Sequence, residues 1–332
     1  MKTFIPLRHH RPYVTVALAA ALTIASLLLL FAPSAQSQPA PIATKRIDTI
    51  RGQIKEATGH HDPPEQLGLL WLQLADRYQD TLDFPQSEDA YTHALQLLQL
   101  PATRLSYADA LDGLGSLYLA TARFPESLAS LQKALDIYQS AGDRPRAATL
   151  HEGIALTLLF EGHLRDSSAE AAVALEQLRT LAQPDPREIV ATLLTRGYSL
   201  CLQGQCQAAV EDTSAAITLA RSNFAANSLE LAASWTAQGF VQWKSGSASD
   251  GEKSIQQAIQ ILHDQPTLPR PVVASAQLGV LGQYANLLKE THRKSEAKQV
   301  ESEIAQLKQE LRSGCNQCTV NASLFSPQPL AP

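Results

Sequence analysis

The sequence predicts an all-α solenoid of about six antiparallel helix pairs, and three observations carry that prediction. First, one segment recurs six times along the chain, opening at Trp71, Leu111, His151, Leu193, Trp235 and Leu281. Its fifth place always holds a small residue: Ala75, Gly115, Ala155, Gly197, Gly239 and Ala285. These stand 40, 40, 42, 42 and 46 positions apart, and a recurrence in this range marks a stacked array of supersecondary units. Second, another small residue follows 19 positions later in five copies, at Ala94, Ala134, Ala174, Ala216 and Ala258, with Ile304 in the sixth. Third, the apolar spacing is helical, as in Leu128, Leu131, Leu135 and Tyr138. No convincing strand pattern is found.

Each copy therefore reads as a first helix, a turn and a second helix. The small residues have a physical role: two antiparallel helices approach closely only where one lacks a bulky side chain. Large residues such as Trp71, Tyr78 and Tyr91 fill the space beside that crossing, so a larger side chain at Ala94 or Ala134 would overpack it. A second set of mostly small residues lies 12 positions after the first: Ser87, Ser127, Ser167, Ala209, Gly251 and Ala297. Gly162, Gly204 and Gly246 each fall seven positions after the first small residue, where a left-handed conformation ends a helix. Phe84-Pro85 and Phe124-Pro125 open the second helix in the first two copies, with proline suited to a first helical turn. Pro101, Pro145, Pro184, Pro186, Pro266, Pro269 and Pro271 fall between copies.

The flanks differ from the repeats. Met1–Tyr13 is basic, Val14–Phe31 is an unbroken apolar and small run, and Ala35-Gln36-Ser37 offers small residues for cleavage. That order is a secretory signal peptide, although the run is also long enough to span a bilayer. Residues 1–37 are thus expected to be a cleaved signal peptide or a membrane signal-anchor. Either way Arg8 and Arg11 hold the N-terminus in the cytoplasm and the remainder is extracytoplasmic, periplasmic or secreted. Residues 38–62 read as a linker and a capping helix with Ile47, Ile50 and Ile54 on one side. The repeats then occupy 63–312, as units of about 64–100, 101–141, 142–183, 184–224, 225–266 and 267–312, before an unpaired, disordered tail at 313–332.

Charge and cysteine content narrow the function classes. The chain holds 27 basic and 32 acidic residues, and three of the basic ones (Lys2, Arg8 and Arg11) lie in the leader. That balance argues against a general nucleic-acid binder. Cys201 and Cys206 flank Gly204, and Cys315 and Cys318 form a C-x-x-C in the polar tail. All four could form disulfides in an oxidising compartment. A redox or metal role for the tail pair is the minor alternative, because it lacks the second C-x-x-C of a zinc ribbon and the strand-to-helix setting of a thioredoxin. The sequence holds no phosphate-binding glycine loop, no H-E-x-x-H and no G-x-S-x-G, so no enzyme, no cofactor and no metal is expected. His60 and His61 read as a polar turn, His151 as a packed residue and His292 as a turn residue. Asn321-Ala-Ser323 is a glycosylation sequon that matters only in a host that glycosylates.

Trp71, Leu74, Ala75, Tyr78, Ser87, Tyr91 and Ala94 resemble the tetratricopeptide repeat motif, and Leu111, Leu114, Gly115, Tyr118, Ser127 and Ala134 repeat it. Later copies are looser, with Gln238 and Gln242 at apolar places of the fifth. The long period is similar to that of kinesin light-chain repeats. The resemblance covers about Pro63–Arg312 and implies a right-handed superhelix that holds a protein or peptide in the concave face of its first helices. The family's clamp for a peptide carboxylate uses Lys, Asn and Arg. Here Leu72 and Asp76 stand at the inward places of the first repeat, so that mode is not expected.

Helical spacing places Asp76, Asp80, Asp109, Asp112, Ser116, Glu152, Leu156, Leu159, Thr195, Tyr198, Leu202, Thr236, Phe240, Trp243, Asn286 and Lys289 on the inward side. The candidate partner-binding residues are Asp76, Asp80, Asp109, Asp112, Glu152, Leu156, Tyr198, Phe240, Trp243, Asn286 and Lys289. An acidic N-terminal half and an apolar C-terminal half suit a partner segment that is basic at one end and bulky at the other. The alternative for Phe240 and Trp243 is packing between repeats, with the acids merely solvated. The expected role is a non-catalytic scaffold or a peptide-sensing arm, touching a membrane only through an uncleaved leader.

Overall fold

A computed structural model describes residues 40–313, apart from positions 82, 100, 266, 267 and 269. The expected leader, Cys315, Cys318 and the sequon lie outside the described residues. Among those residues the fold is all-α, with thirteen α-helices and a short 3-10 turn at Pro101–Thr103. Helix α1 spans Ala40–Gly59. Six helix pairs follow: α2 (Pro64–Asp80) with α3 (Phe84–Leu97), α4 (Arg104–Ala120) with α5 (Phe124–Ala141), and α6 (Arg144–Glu161) with α7 (Leu164–Arg179). Then come α8 (Pro186–Leu202) with α9 (Cys206–Asn223), α10 (Leu229–Lys244) with α11 (Ala248–His263), and α12 (Arg270–Glu290) with α13 (Lys294–Ser313). Each helix packs on its sequence neighbours, and the first helices of successive pairs also touch one another.

Local chemistry sets the helix boundaries. Asp83, Asp143, Asp185 and Ser228 cap α3, α6, α8 and α10 by accepting from backbone N–H groups at 2.8–3.4 Å. Proline sits in the first turn of α2, α3, α5, α6 and α8, where its missing donor costs nothing. The turn seven positions after each first small residue is left-handed at Gly162, Gly204 and Gly246, with φ of 89°, 85° and 93°. It is equally left-handed at Ala122 and His292, with φ of 60° and 63°. Backbone geometry therefore demands this conformation in these repeats, even where a Cβ opposes it.

The crossings are as tight as their small residues imply. Ala75, Ala94, Ala134, Ala155, Ala174, Ala216 and Ala258 have no exposed surface. In the fifth pair, a Cβ on Gly239 would lie 2.8 Å from the Gly251 carbonyl oxygen, and one on Gly251 would lie 2.7 Å from that of Gly239. In the first three pairs the second helix instead carries a serine whose Oγ donates to the carbonyl of the small residue. These bonds are Ser87 to Ala75 at 3.0 Å, Ser127 to Gly115 at 2.8 Å and Ser167 to Ala155 at 2.7 Å. Ser127 and Ser167 also reach the next repeat through Thr157 and Ser199. The start of the array is covered by α1, whose Ile47, Ile54 and Ala57 are buried against the first pair, with Ile50 packed beside them.

Two substitutions test this reading of the backbone. Ala122→Gly removes the Cβ penalty of a left-handed turn and is expected to raise unfolding free energy by about 0.5–1 kcal/mol. Gly239→Ala drives a methyl into the backbone of α11 and is expected to cost about 1–3 kcal/mol. Paired urea unfolding curves measure both; equal midpoints for wild type and the two variants would remove the argument.

Candidate functional site

The inward side of the first helices divides into two unlike halves. In the N-terminal half, Asp76 and Asp80 on α2 and Asp109 and Asp112 on α4 come close enough to act on one another's charge. Tyr91 Oη on α3 lies 2.8 Å from both Asp76 Oδ1 and Gln79 Oε1, its single proton serving the two acceptors. Tyr138 Oη on α5 donates to Asp109 Oδ1 at 2.5 Å. Arg146 Nη1 lies 3.0 Å from the same Asp109 oxygen, with its guanidinium 5.2 Å from the centre of the Tyr138 ring. Tyrosines from the second helices thus reach through each pair to hold aspartates on the inner face.

The acidic run continues onto α6 and α8. Glu152 is only 2% exposed, and Glu188 on α8 is half-buried. The two helices exchange hydrogen bonds: Thr149 Oγ1 donates to Glu188 Oε1 at 2.9 Å, and Thr195 Oγ1 donates to Glu152 Oε1 at 3.3 Å. Burial disfavours the charged form throughout this half. It lifts the Asp76 carboxyl to about 6, against the opposing hydrogen bond from Tyr91. It lifts Asp112 to about 7, with the nearby Asp109 charge adding to the effect. Burial likewise raises Asp80, Glu188 and, well above the usual range, Glu152.

In the C-terminal half the inward residues are interior. Leu156 and Phe240 have no exposed surface, and Tyr198 and Trp243 retain only 2% and 6%. The Tyr198 and Phe240 rings lie 5.3 Å apart, and the Phe240 and Trp243 rings meet edge-on at 6.2 Å. Gln283 on α12 is itself fully buried and donates through Nε2 to Tyr198 Oη at 3.0 Å, two repeats away. The first helices α8, α10 and α12 pack against one another, α8 on α10 and α10 on α12, so these aromatic residues fill a core and offer no surface to a partner in this conformation. Asn286 is half-buried, whereas Lys289 is exposed and paired with Glu301 at 2.5 Å.

Several cysteines and histidines singled out from the sequence lie at turns or in the interior. Cys201 and Cys206 are joined by a disulfide across the left-handed turn at Gly204. His61 and His292 occupy left-handed turns. His151 is buried, with Nδ1 2.7 Å from Glu170. Sequence reasoning placed Thr195 on the inward side but did not put Tyr91, Tyr138, Arg146, Thr149 or Glu188 at the inner face. One signal was available: Arg146, Glu188 and Glu230 all stand nine positions before the small residue of their repeat.

Acid titration of the inner face has a definite sign. Asp76 and Asp112 start from an ordinary value of 3.8 and are raised to about 6 and about 7 on folding. Between those limits the native chain holds more protons, so their contribution favours folding at acid pH and is lost as pH rises through 6 and 7. Asp112→Asn is therefore expected to stabilise the chain by about 1–3 kcal/mol above neutrality and to change little near pH 4. Thermal melts of both proteins across that range measure the difference. A variant benefit that grew toward acid pH would contradict the assignment.

Comparison with known proteins agrees with this architecture. Residues 66–140 match the tetratricopeptide repeat family model, and no curated protein sequence matches the chain. The fold is similar to that of RapI in its apo form, with a TM-score of 0.70 at 14% identity, covering 82% of this chain and 93% of RapI. It is similar to NprR, solved in complex with its cognate peptide NprX, with a TM-score of 0.60 at 18% identity, covering 83% of this chain and 78% of NprR. It is also similar to nearly identical TPR-like repeats of a Podosopora anserina kinesin light chain, with a TM-score of 0.51 at 16% identity over 60% of this chain and 96% of that one. Residues 66–140 thus carry tetratricopeptide repeats, and the motif copies in phase and the helix pairs continue the same fold through the rest of the described array.

Proposed function

We propose that this chain is a non-catalytic scaffold that binds an extended segment of a protein or peptide on the N-terminal half of its inner face. The observation that carries the reading is the run of acidic residues on four successive first helices: Asp76 and Asp80, Asp109 and Asp112, Glu152, then Glu188. Burial raises most of these carboxyls. A scaffold that needed only stability would fill such places with apolar residues. A basic segment would recover the electrostatic cost and be steered to the face by it. The similarity to NprR, which was solved with a bound peptide, supports a peptide as the kind of partner.

The same reading places the working part of the chain outside the cytoplasm. The leader supports export, and the Cys201–Cys206 disulfide suits an oxidising compartment. The membrane is touched only through the leader when that segment remains uncleaved. Among the described residues, no helix is long and apolar enough to cross a membrane.

Affinity purification of the tagged full-length chain from the cells that make it, read by mass spectrometry, tests the binding face. Asp109→Lys with Asp112→Lys is expected to lose the partner, while Lys289→Glu, far along the array, retains it. A partner kept by the double variant would move the site away from the acidic face. Fractionation of the same cells tests export, which recovery of the chain from the cytoplasm would refute.

A further inference from the structure

The sixth pair departs from the period of the array. Its small residue, Ala285, follows Gly239 by 46 positions, where the other intervals are 40 or 42. Part of the excess lengthens α12. That helix begins 15 positions before Ala285, whereas the other first helices begin 10 or 11 positions before their small residues, so α12 has one added turn. In the second and third pairs the first helix opens on an arginine that closes a corner against the end of the second helix. Arg104 Nη2 donates to Ser140 Oγ at 2.7 Å, and Arg144 Nη2 donates to Thr180 Oγ1 at 2.8 Å. Helix α12 also opens on an arginine, Arg270, one turn farther out, and its Nη2 reaches Glu310 Oε2 on α13 at 2.7 Å. A cavity of about 430 Å³ lies at this corner, lined by the end of α11, the start of α12 and the C-terminal part of α13. Two of its three helical walls are second helices, so it is separate from the acidic inner face. An insertion carried by one repeat of an array often serves binding.

The lining supplies a donor side, an acceptor side and an apolar part. Gln277 is 7% exposed, accepts from Arg270 Nη1 at 3.1 Å and donates to the Leu262 carbonyl at 3.4 Å. The bonds to Gln277 and Glu310 use two of the five donors of the Arg270 guanidinium. Among the described residues, Gln265 Nε2 is buried and donates to no acceptor. A buried donor left so costs stability until an acceptor meets it. Glu303 on α13 is half-buried and, among the described residues, joins no ion pair. Leu262, Val273 and Leu307 are buried and form the apolar part of the lining. The volume is that of a small-molecule site. A ligand that meets these groups brings an acceptor for Gln265 and Arg270, a cationic donor for Glu303 and an apolar body. The smallest molecule with all three is an α-amino acid with an apolar side chain. We propose that the cavity binds such an amino acid, its carboxylate at Gln265 and Arg270, its ammonium at Glu303 and its side chain against Leu262, Val273 and Leu307.

Calorimetric titration of the full-length chain with L-leucine and L-phenylalanine tests the site. Saturable binding of at least one is expected. For leucine, the matched controls are 4-methylpentanoate, which lacks the ammonium, and 3-methylbutylamine, which lacks the carboxylate; for phenylalanine they are 3-phenylpropionate and 2-phenylethylamine. Each control is expected to bind about tenfold more weakly than its amino acid. Glu303→Gln and Gln265→Met nearly keep the size of their side chains. Glu303→Gln is expected to weaken the amino acid about tenfold and to leave the carboxylate control unchanged, whereas Gln265→Met weakens both. The homodipeptide of the binding amino acid, which moves the carboxylate away from the ammonium, is expected to bind more weakly than the free amino acid. No saturable binding of either amino acid overturns the proposal. So does a control that binds as tightly as its amino acid, or an affinity unchanged in either variant. A dipeptide that binds more tightly overturns the free amino acid as the ligand and puts a peptide end in its place.

Discussion

The close approach of two helix backbones within each pair is the constraint on which the rest of this structure depends. It is clearest at Gly239 and Gly251, where neither residue leaves room for a Cβ on the other. Elsewhere alanine or serine permits nearly the same approach, and serine adds a hydrogen bond to the opposing carbonyl. Close crossings bring the second helix near enough for its long side chains to pass beside the first. Tyr91 and Tyr138 use that proximity to place their hydroxyls on aspartates of the inner face. The crossing therefore fixes the pair and also organises the chemistry on its far side.

Stacking of the pairs divides the inner face. Where α8, α10 and α12 pack together, Tyr198, Phe240 and Gln283 make contacts between repeats and become core. Around α2, α4 and α6 the inward side carries acids, half-buried at Asp76, Asp80, Asp109 and Asp112 and buried at Glu152. Their charges repel one another and resist burial, so the acidic half of the array carries a cost that the apolar half does not.

Much of the fold was legible in the sequence, because repetition amplifies weak local signals. A single Ala or Gly says little, but six small residues in phase locate six crossings. Gly162, Gly204 and Gly246 marked their turns; Ala122 and His292 carry no such signal, and only stacking forces them into the same left-handed conformation. The site was less legible. Helical spacing put Asp76, Asp109, Asp112 and Glu152 on the inward side. It did not reveal that Tyr138 lies 29 positions from its aspartate, or that Thr149 and Glu188 meet across 39. Those pairings depend on how far one repeat rotates on the next.

By itself the sequence determined the elements: helices from 3.6-residue periodicity, pairs from small residues at a fixed offset, ends from proline and glycine. Those are properties of one repeat and its immediate neighbour, so a pattern along the chain suffices to encode them. The tertiary structure decided which inward residues remain a surface. Phe240 and Asp112 occupy the inward side in the same sense, yet one is sealed in a core and the other is left half-buried. The difference arises from how successive pairs stack, which packs α8, α10 and α12 against one another around Phe240, and no residue read in isolation carries that arrangement.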